Sequence, residues 1–278
     1  MKISKVGEGR VYLIAGGGKV YADIAARFCH SNKSVDELII SPYNKKIVEN
    51  IINAGHLAAL EFDNFIFGIE GYSRVTEVQL VRKRLASYMI SSGRDERHGK
   101  RVFDIVLPDD DRMINEATGY IGMDPSNITI RTKDGRIESL ATLHPDCRAT
   151  VNMNCNDILE LLENFYDRCL ALGVAEEDAR YMKPQGTAFK AVVSMNSHSL
   201  LDWFKIRCCE NAQKEIRGLA WQMLRLCKSA APDVFAKAGP SCVALGFCPE
   251  NNRQNPVCKE TRRAVTLDEA KTKIYGKR

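Results

Sequence analysis

The sequence predicts an α+β fold, a mainly antiparallel sheet packed by long helices. Three stretches carry that prediction. Phe65, Phe67 and Ile69 alternate with Asn64, Ile66 and Gly68, the period of a strand with one face more deeply buried. Asp134-Gly135 lies inside Asn127–Leu140 and is the strongest short-range signal for a hairpin. Asp157–Leu172 sets Ile158, Leu161, Leu162, Phe165 and Cys169 on one helical face and ends at Gly173.

In chain order, Val11–Ala15 reads as a first strand. Gly16-Gly17-Gly18 after it reads as a turn, because the spacings of dinucleotide and P-loop motifs are missing. Tyr21–His30 has helical spacing through Ile24, Ala25 and Phe28. Ser41-Pro42 is expected to start the next helix, with serine at the cap, proline first, Ile47, Ile51 and Ile52 inward and Gly55 as the stop. The strand at Glu61–Glu70 should close at Gly71, and Ser73–Lys83 should follow as a helix with Val75, Val78 and Val81 on its apolar side. Leu85–Ser91 reads as a short strand or extended pass, and Val102–Leu107 as a strand stopped by Pro108. Further on, Ala175–Met182 reads as a short helix closed by Pro184, Thr187–Met195 as a strand, and Ser199–Cys227 as one long or broken helical stretch. One catalytic domain spanning 1–278 is expected, with an excursion at about 95–156 and a Cys/Pro/Gly-rich tail at about 237–278.

At 45% hydrophobic and 27% charged residues, the 278-residue chain has the composition of an ordinary soluble globular protein. Its net charge of +5 favours anionic partners but falls short of a dedicated nucleic-acid binder. No apolar run approaches the ~18 residues of a membrane span. Val11–Ala15 is too short for a signal-peptide core, so a cytoplasmic location and reduced cysteines are expected. Cys242, Cys248 and Cys258 are separated by five and nine residues, whereas zinc sites usually begin with a pair about two to four residues apart, and no metal is expected.

The stretch Gln79–Arg94 holds Arg82, Lys83, Arg84 and Arg94 around Ala86, Ser87, Ser91, Ser92 and Gly93. Guanidinium forks bind phosphate oxygens in pairs, and glycine lets backbone approach closely, so the stretch suits a phosphate-bearing ligand. A solvated basic turn would have the same composition.

These pieces together resemble the flavin-dependent thymidylate synthases. The family's Arg-His-Arg triplet, seven residues and a serine are matched by Arg82-Lys83-Arg84, Leu85–Ser91 and Ser92, with lysine for histidine. Gly55-His56, Glu61 and the Phe65/Phe67 strand resemble the lead-in. Glu177-Asp178-Ala179-Arg180 with Pro184 resembles a second block, and Asn196, Arg207 and Ala212–Arg217 a third. The blocks occur in order over roughly 40–95 and 157–230.

The resemblance implies reductive methylation of dUMP to dTMP by methylenetetrahydrofolate and NADPH through bound FAD, in a homotetramer. It implies that Gln79, Ser92, Gly93, Arg94, Arg180 and Arg207 hold dUMP, with Arg207 and Ser92 at the reacting ring. His56, Arg82, Lys83, Arg84, Asn196, His198, Asp202 and Asn211 would contact the flavin, and no covalent cysteine nucleophile is implied.

Plainer roles exist for the same residues. Arg180 could pair with Glu176 or Glu177 along a helix, Arg207 with Glu210, and His56 could cap the preceding helix. Lys83, Met89, Ile90, Asp95, His198, Asp202 and Asn211 depart from the family pattern, which admits another pyrimidine nucleotide such as dCMP as substrate. A basic nucleic-acid-binding module using Arg82, Arg84 and Arg94 is the non-enzymatic alternative, disfavoured because Tyr88 is the lone aromatic residue in the stretch.

Overall fold

The computed structural model describes residues 1–17, 19–92, 103–123, 125–146, 149–249, 258, 265–266, 269 and 271–272. They fall into two compact units, the larger formed by Ile3–Asp95, Ile105–Leu107 and Gln185–Arg278, the smaller by Met1–Lys2, Glu96–Asp104 and Pro108–Pro184. The α+β expectation holds. Among the described residues, no helix is long and apolar enough to cross a membrane.

The larger unit is built on four antiparallel strands in the order Arg10–Ala15, Asn64–Ser73, Ala188–Asn196, Ser87–Ile90. Register follows the buried alternation: Phe67 sits opposite Val193 and Ile69 opposite Ala191, and all four are buried. Gly71 does not end its strand, which runs on to Ser73. A side chain at Gly9 would strike the Tyr72 ring at 2.6 Å, and Gly71 beside it has φ +73, so two glycines let these strands cross closely.

Helices cover the inner face of the sheet. Lys214–Ala230 buries Ile216, Leu219, Ala220, Met223, Leu224 and Cys227, a stripe at helical spacing, and Ser197–Arg207 buries Leu200, Trp203 and Phe204. The predicted helical stretch at 199–227 is therefore two helices broken after Arg207. Phe235 meets Phe65 edge-on at 5.4 Å and Phe204 at 6.1 Å, closing the centre of the core. Burying each such ring contributes about 1.5–3 kcal/mol.

Two further predicted features of this unit differ. Ser41 does not start a helix; it closes Val35–Ile40, its backbone N–H bonding Leu38, and Pro42 follows because it cannot continue that helix. The next helix, Lys45–Asn53, is capped by Asn44, whose side chain accepts from Lys46 N at 3.1 Å. In Arg74–Leu80 the buried residues are Thr76 and Leu80, while Val75, Val78 and Val81 face outward. The helix is phased by its first residues: Ser73 N donates to buried Glu215 Oε1 at 2.7 Å, and Ser73 Oγ donates to Oε2.

In the smaller unit Thr129–Arg131 and Ile137–Ser139 form the predicted hairpin around Gly135, whose φ is +88. Cys155–Ala171 begins with an Asn154/Asp157 capping box and ends before Gly173 at φ +84. Its buried residues are Leu159 and Tyr166, with Tyr166 against Phe103 at 5.5 Å. Ile158, Leu161 and Phe165, expected inside, are 42%, 47% and 52% exposed, because the neighbouring edge that carries Leu159 and Tyr166 is the one turned inward.

Glu215→Ala should cost about 3 kcal/mol, because it leaves the buried Ser73 N–H and hydroxyl without their acceptor. The measurement is a urea midpoint at unchanged slope; a loss under about 0.5 kcal/mol would remove Glu215 from its organising place.

Candidate functional site

The site begins where Arg74–Leu80 ends. Lys83 N–H reaches back to the Leu80 carbonyl at 3.4 Å, and the Tyr88 hydroxyl is shared between the carbonyls of Leu80 at 3.0 Å and Lys83 at 2.7 Å. Burial pushes the Tyr88 phenol up to about 12, so it stays a protonated donor and holds the Arg82–Arg84 turn in place. Beyond the Ser87–Ile90 strand, Ser91 Oγ accepts from Lys190 N at 3.0 Å and Ser91 N donates to Lys190 O at 2.8 Å. Arg74, held by Glu77, donates from Nη2 to the Ser91 carbonyl at 2.9 Å. Ser92 is thus delivered at the end of a fixed arm. Gly93 and Arg94 lie outside the described residues.

Arg207, last residue of its helix, comes in from across the fold. Its Nη2 donates to the Gln79 carbonyl at 3.1 Å and Nη1 to Gln79 Oε1 at 3.4 Å. Burial, and then the charge of Arg82, hold the Arg207 guanidinium below its ordinary pKa. The Glu210 ion pair expected as a plain alternative is not made with Arg207; Glu210 Oε2 binds Arg217 at 2.9 Å. Among the described residues, Arg82 and Arg84 have no hydrogen-bond or ion-pair partner, and both are exposed. Arg82, whose charge acts on Arg207, and the exposed Arg84 two residues on are guanidiniums without a counter-charge, which makes this an anion-seeking face.

A second cluster adjoins Lys83. Asp202 gathers Lys205 Nζ at 3.1 Å, Lys83 Nζ at 3.9 Å and His198 Nε2 at 3.9 Å, while His198 Nδ1 meets Glu61 Oε1 at 3.1 Å. Asn196 Oδ1 caps the Ser197–Arg207 helix by accepting from Ser199 N at 2.8 Å. Asn211 and His56 are exposed; the His56 backbone N–H bonds the Ile51 carbonyl at 2.8 Å, so its backbone closes the preceding helix while its ring makes no cap.

The structure therefore brings together Gln79, Arg82 and Arg207 in one group and Lys83, His198 and Asp202 in another. Arg180 belongs to the smaller unit, exposed, with Nε donating to the Glu177 carbonyl at 3.1 Å. Reading by residue type overlooked Arg74, the Tyr88 hydroxyl and Lys205. Only tertiary contact singles these out, and no local signal marks them.

The thiols stay protonated where they are deepest: burial raises Cys208 to about 12. Burial, then the neighbouring thiols of Cys209 and Cys248, raise Cys242, and among the described residues no three ligating side chains are arranged to hold a metal ion.

A family model described as "Thymidylate synthase complementing protein" matches residues 17–233. The flavin-dependent thymidylate synthase of Geobacter sulfurreducens is 32% identical over 243 residues, covering 86% of this chain and 90% of that one. The flavin-dependent thymidylate synthase of Nitratidesulfovibrio vulgaris is 36% identical over 208 residues, covering 74% and 73%. Among solved structures, a UMP/dUMP methylase PolB from Streptomyces cacaoi bound with 5-Br dUMP superposes with a TM-score of 0.61 at 17% identity, over 85% of this chain and 96% of that one. At that identity the likeness is one of fold.

Asp202→Ala should change folding stability by no more than about 1 kcal/mol, the worth of partly exposed ion pairs. A urea titration checks this; a larger loss would make the Asp202 cluster a structural fastening and not a binding surface.

Proposed function

This chain belongs to the flavin-dependent thymidylate synthase family, and from that premise we propose that it converts dUMP to dTMP, taking the one-carbon unit from methylenetetrahydrofolate and the reducing equivalents from NADPH. The observation that carries the reading is the Gln79–Arg207 contact. It places a partly buried, incompletely neutralised guanidinium beside the motif that begins at Arg82.

The family's cofactor is FAD, which supplies hydride transfer when bound. The donor set suits it. The exposed guanidiniums of Arg82 and Arg84 match the charge of a diphosphate, and Lys83, Asn196, His198, Asp202 and Asn211 add polar groups that can orient the rest. His56 would border the flavin and the folate.

Toward dUMP, Ser92, Gly93 and Arg94 would hold the nucleotide, with Arg180 as a further phosphate ligand. Arg207 would lie against the uracil and stabilise negative charge developing on the ring, a task for which Gln79 fixes its plane in advance. Outward-facing Val75, Val78, Val81, Leu85 and Met89 around the same segment support assembly into a homotetramer.

Arg207→Ala should abolish dTMP formation, by about a hundredfold or more, while the protein stays folded. Arg94→Ala should mainly raise the KM for dUMP. Tritium release from C5-labelled dUMP, with and without folate and reductant, reads both. Turnover of dCMP with none of dUMP would replace the substrate assignment. Colourless protein that takes up no FAD and binds oligonucleotides with steep salt dependence would replace the enzyme by a nucleic-acid module.

A further inference from the structure

On the larger unit lies a cleft of about 450 Å³, within the usual size of small-ligand pockets, lined by Lys214, Arg217, Trp221, Gln222 and Arg225 of one helix together with Gly7 and Tyr72. It is separate from the Gln79–Arg207 contact. Tyr72 and Ser73 lie at the start of the Arg74–Leu80 helix, whereas Gln79 lies near its far end, about 9 Å along the axis at the ordinary rise.

Lys214, Gly218, Trp221 and Arg225 follow one another at i, i+4, i+7 and i+11, so they form a single helical edge. Gly218 in mid-helix costs stability relative to alanine, yet a Cβ there would meet nothing within 4 Å. The fold does not require that glycine. Its effect is to leave open space beside Trp221, whose indole is partly buried against the core and keeps one part turned to the cleft. Gly7, opposite, has φ +110 and also faces open space.

The charges around this space are one-sided. Arg217 is already engaged, donating to the Glu210 carbonyl at 2.7 Å and to its carboxylate. Glu215, the carboxylate of the lining, is turned inward onto Ser73. Lys214 and Arg225 are exposed and have no hydrogen-bond or ion-pair partner among the described residues. An indole face between two free cations suits a ligand with a flat ring and several negative charges.

We propose that this cleft is a second ligand site, distinct from the substrate and flavin sites, that takes a nucleoside polyphosphate, with the base on Trp221 and the phosphates on Lys214 and Arg225. Gln222, its side chain donating to the Gly9 carbonyl at 2.9 Å, keeps the floor of the cleft closed beneath the base.

The protein's two tryptophans make the test direct, because Trp203 is 3% exposed and Trp221 only partly buried, so acrylamide quenching of fluorescence reads Trp221. FAD-saturated full-length protein is titrated with ATP, in parallel with adenosine and with inorganic tripolyphosphate. ATP should protect Trp221 saturably with the flavin spectrum unchanged, and each fragment alone should protect weakly. Trp221→Phe should remove the signal. Lys214→Gln combined with Arg225→Gln should weaken ATP by roughly tenfold or more, the scale of losing charge-assisted contacts, with basal turnover unchanged. The proposal is overturned if millimolar ATP gives no protection, if protection survives the double variant, or if tripolyphosphate alone protects equally. Displacement of flavin by ATP, or a Trp221 shielded from acrylamide before any ligand is added because another copy of the chain covers it, would overturn it too.

Discussion

The candidate site hangs on one buried carboxylate. Glu215 stands at the start of the Lys214–Ala230 helix and accepts both the backbone N–H and the hydroxyl of Ser73, the residue that begins the Arg74–Leu80 helix. One helix thereby sets the direction of the other. At the far end of Arg74–Leu80 are Gln79 and the turn carrying Arg82–Arg84, while the loop leading into Glu215 starts at Arg207. A charge so deeply placed is tolerable only because its oxygens are paired, and removing it would leave the donors of Ser73 buried without a partner. The link is stabilising and directional at once: it determines where cations from two distant segments of the chain meet.

Much of this was legible in the sequence, and the exceptions have a common cause. The strand at Phe65–Ile69 was readable because its period of two is also its burial pattern, and Gly55, Gly135 and Gly173 marked turns that need positive φ. The valines at 75, 78 and 81 and the apolar stripe of Ile158, Leu161 and Phe165 misled because periodicity shows that a helix has an apolar side and not that this side is covered within the same chain. Ser41-Pro42 failed differently: the pair that suits a helix start suits a helix end equally well, and here Ser41 is the C-cap of the helix that the Ser34/Glu37 capping box begins. In the site, Gln79, Ser92 and Arg207 could be picked out through the resemblance of their motifs to the family's. Arg74, Tyr88 and Lys205 act through contacts between separate segments, which spacing does not record.

Three of the departures from the family pattern fall together. Lys83, His198 and Asp202 occur at distant points in the sequence, yet Asp202 lies within ion-pairing distance of both others. A lysine at the centre of the triplet brings a compact charge that guanidinium and imidazole do not match in shape, and a carboxylate at 202 gives it a counter-ion. Lys205 and Glu61 extend the network on either side, so its two lysines are matched by two carboxylates. The result is a charge-balanced surface beside the Arg82–Arg84 turn that does not add to its positive field. The free positive charge is left to Arg82 and Arg84, the two arginines that the motif preserves.

That division of charge explains why Gln79, and not an acid, receives Arg207. A carboxylate at this position would neutralise the guanidinium inside the protein and leave little attraction for a ligand. The amide and carbonyl of Gln79 orient the same donors while cancelling none of their charge. Burial and Arg82 then make the charged form of Arg207 costlier than in water, which is the meaning of its lowered pKa. An anion placed beside both guanidiniums relieves that cost, and the relief grows as negative charge builds up near Arg207. A site arranged in this way discriminates between states of one ligand by their charge, binding the more negative state more strongly, which is the electrostatic requirement for catalysing a reaction that passes through one.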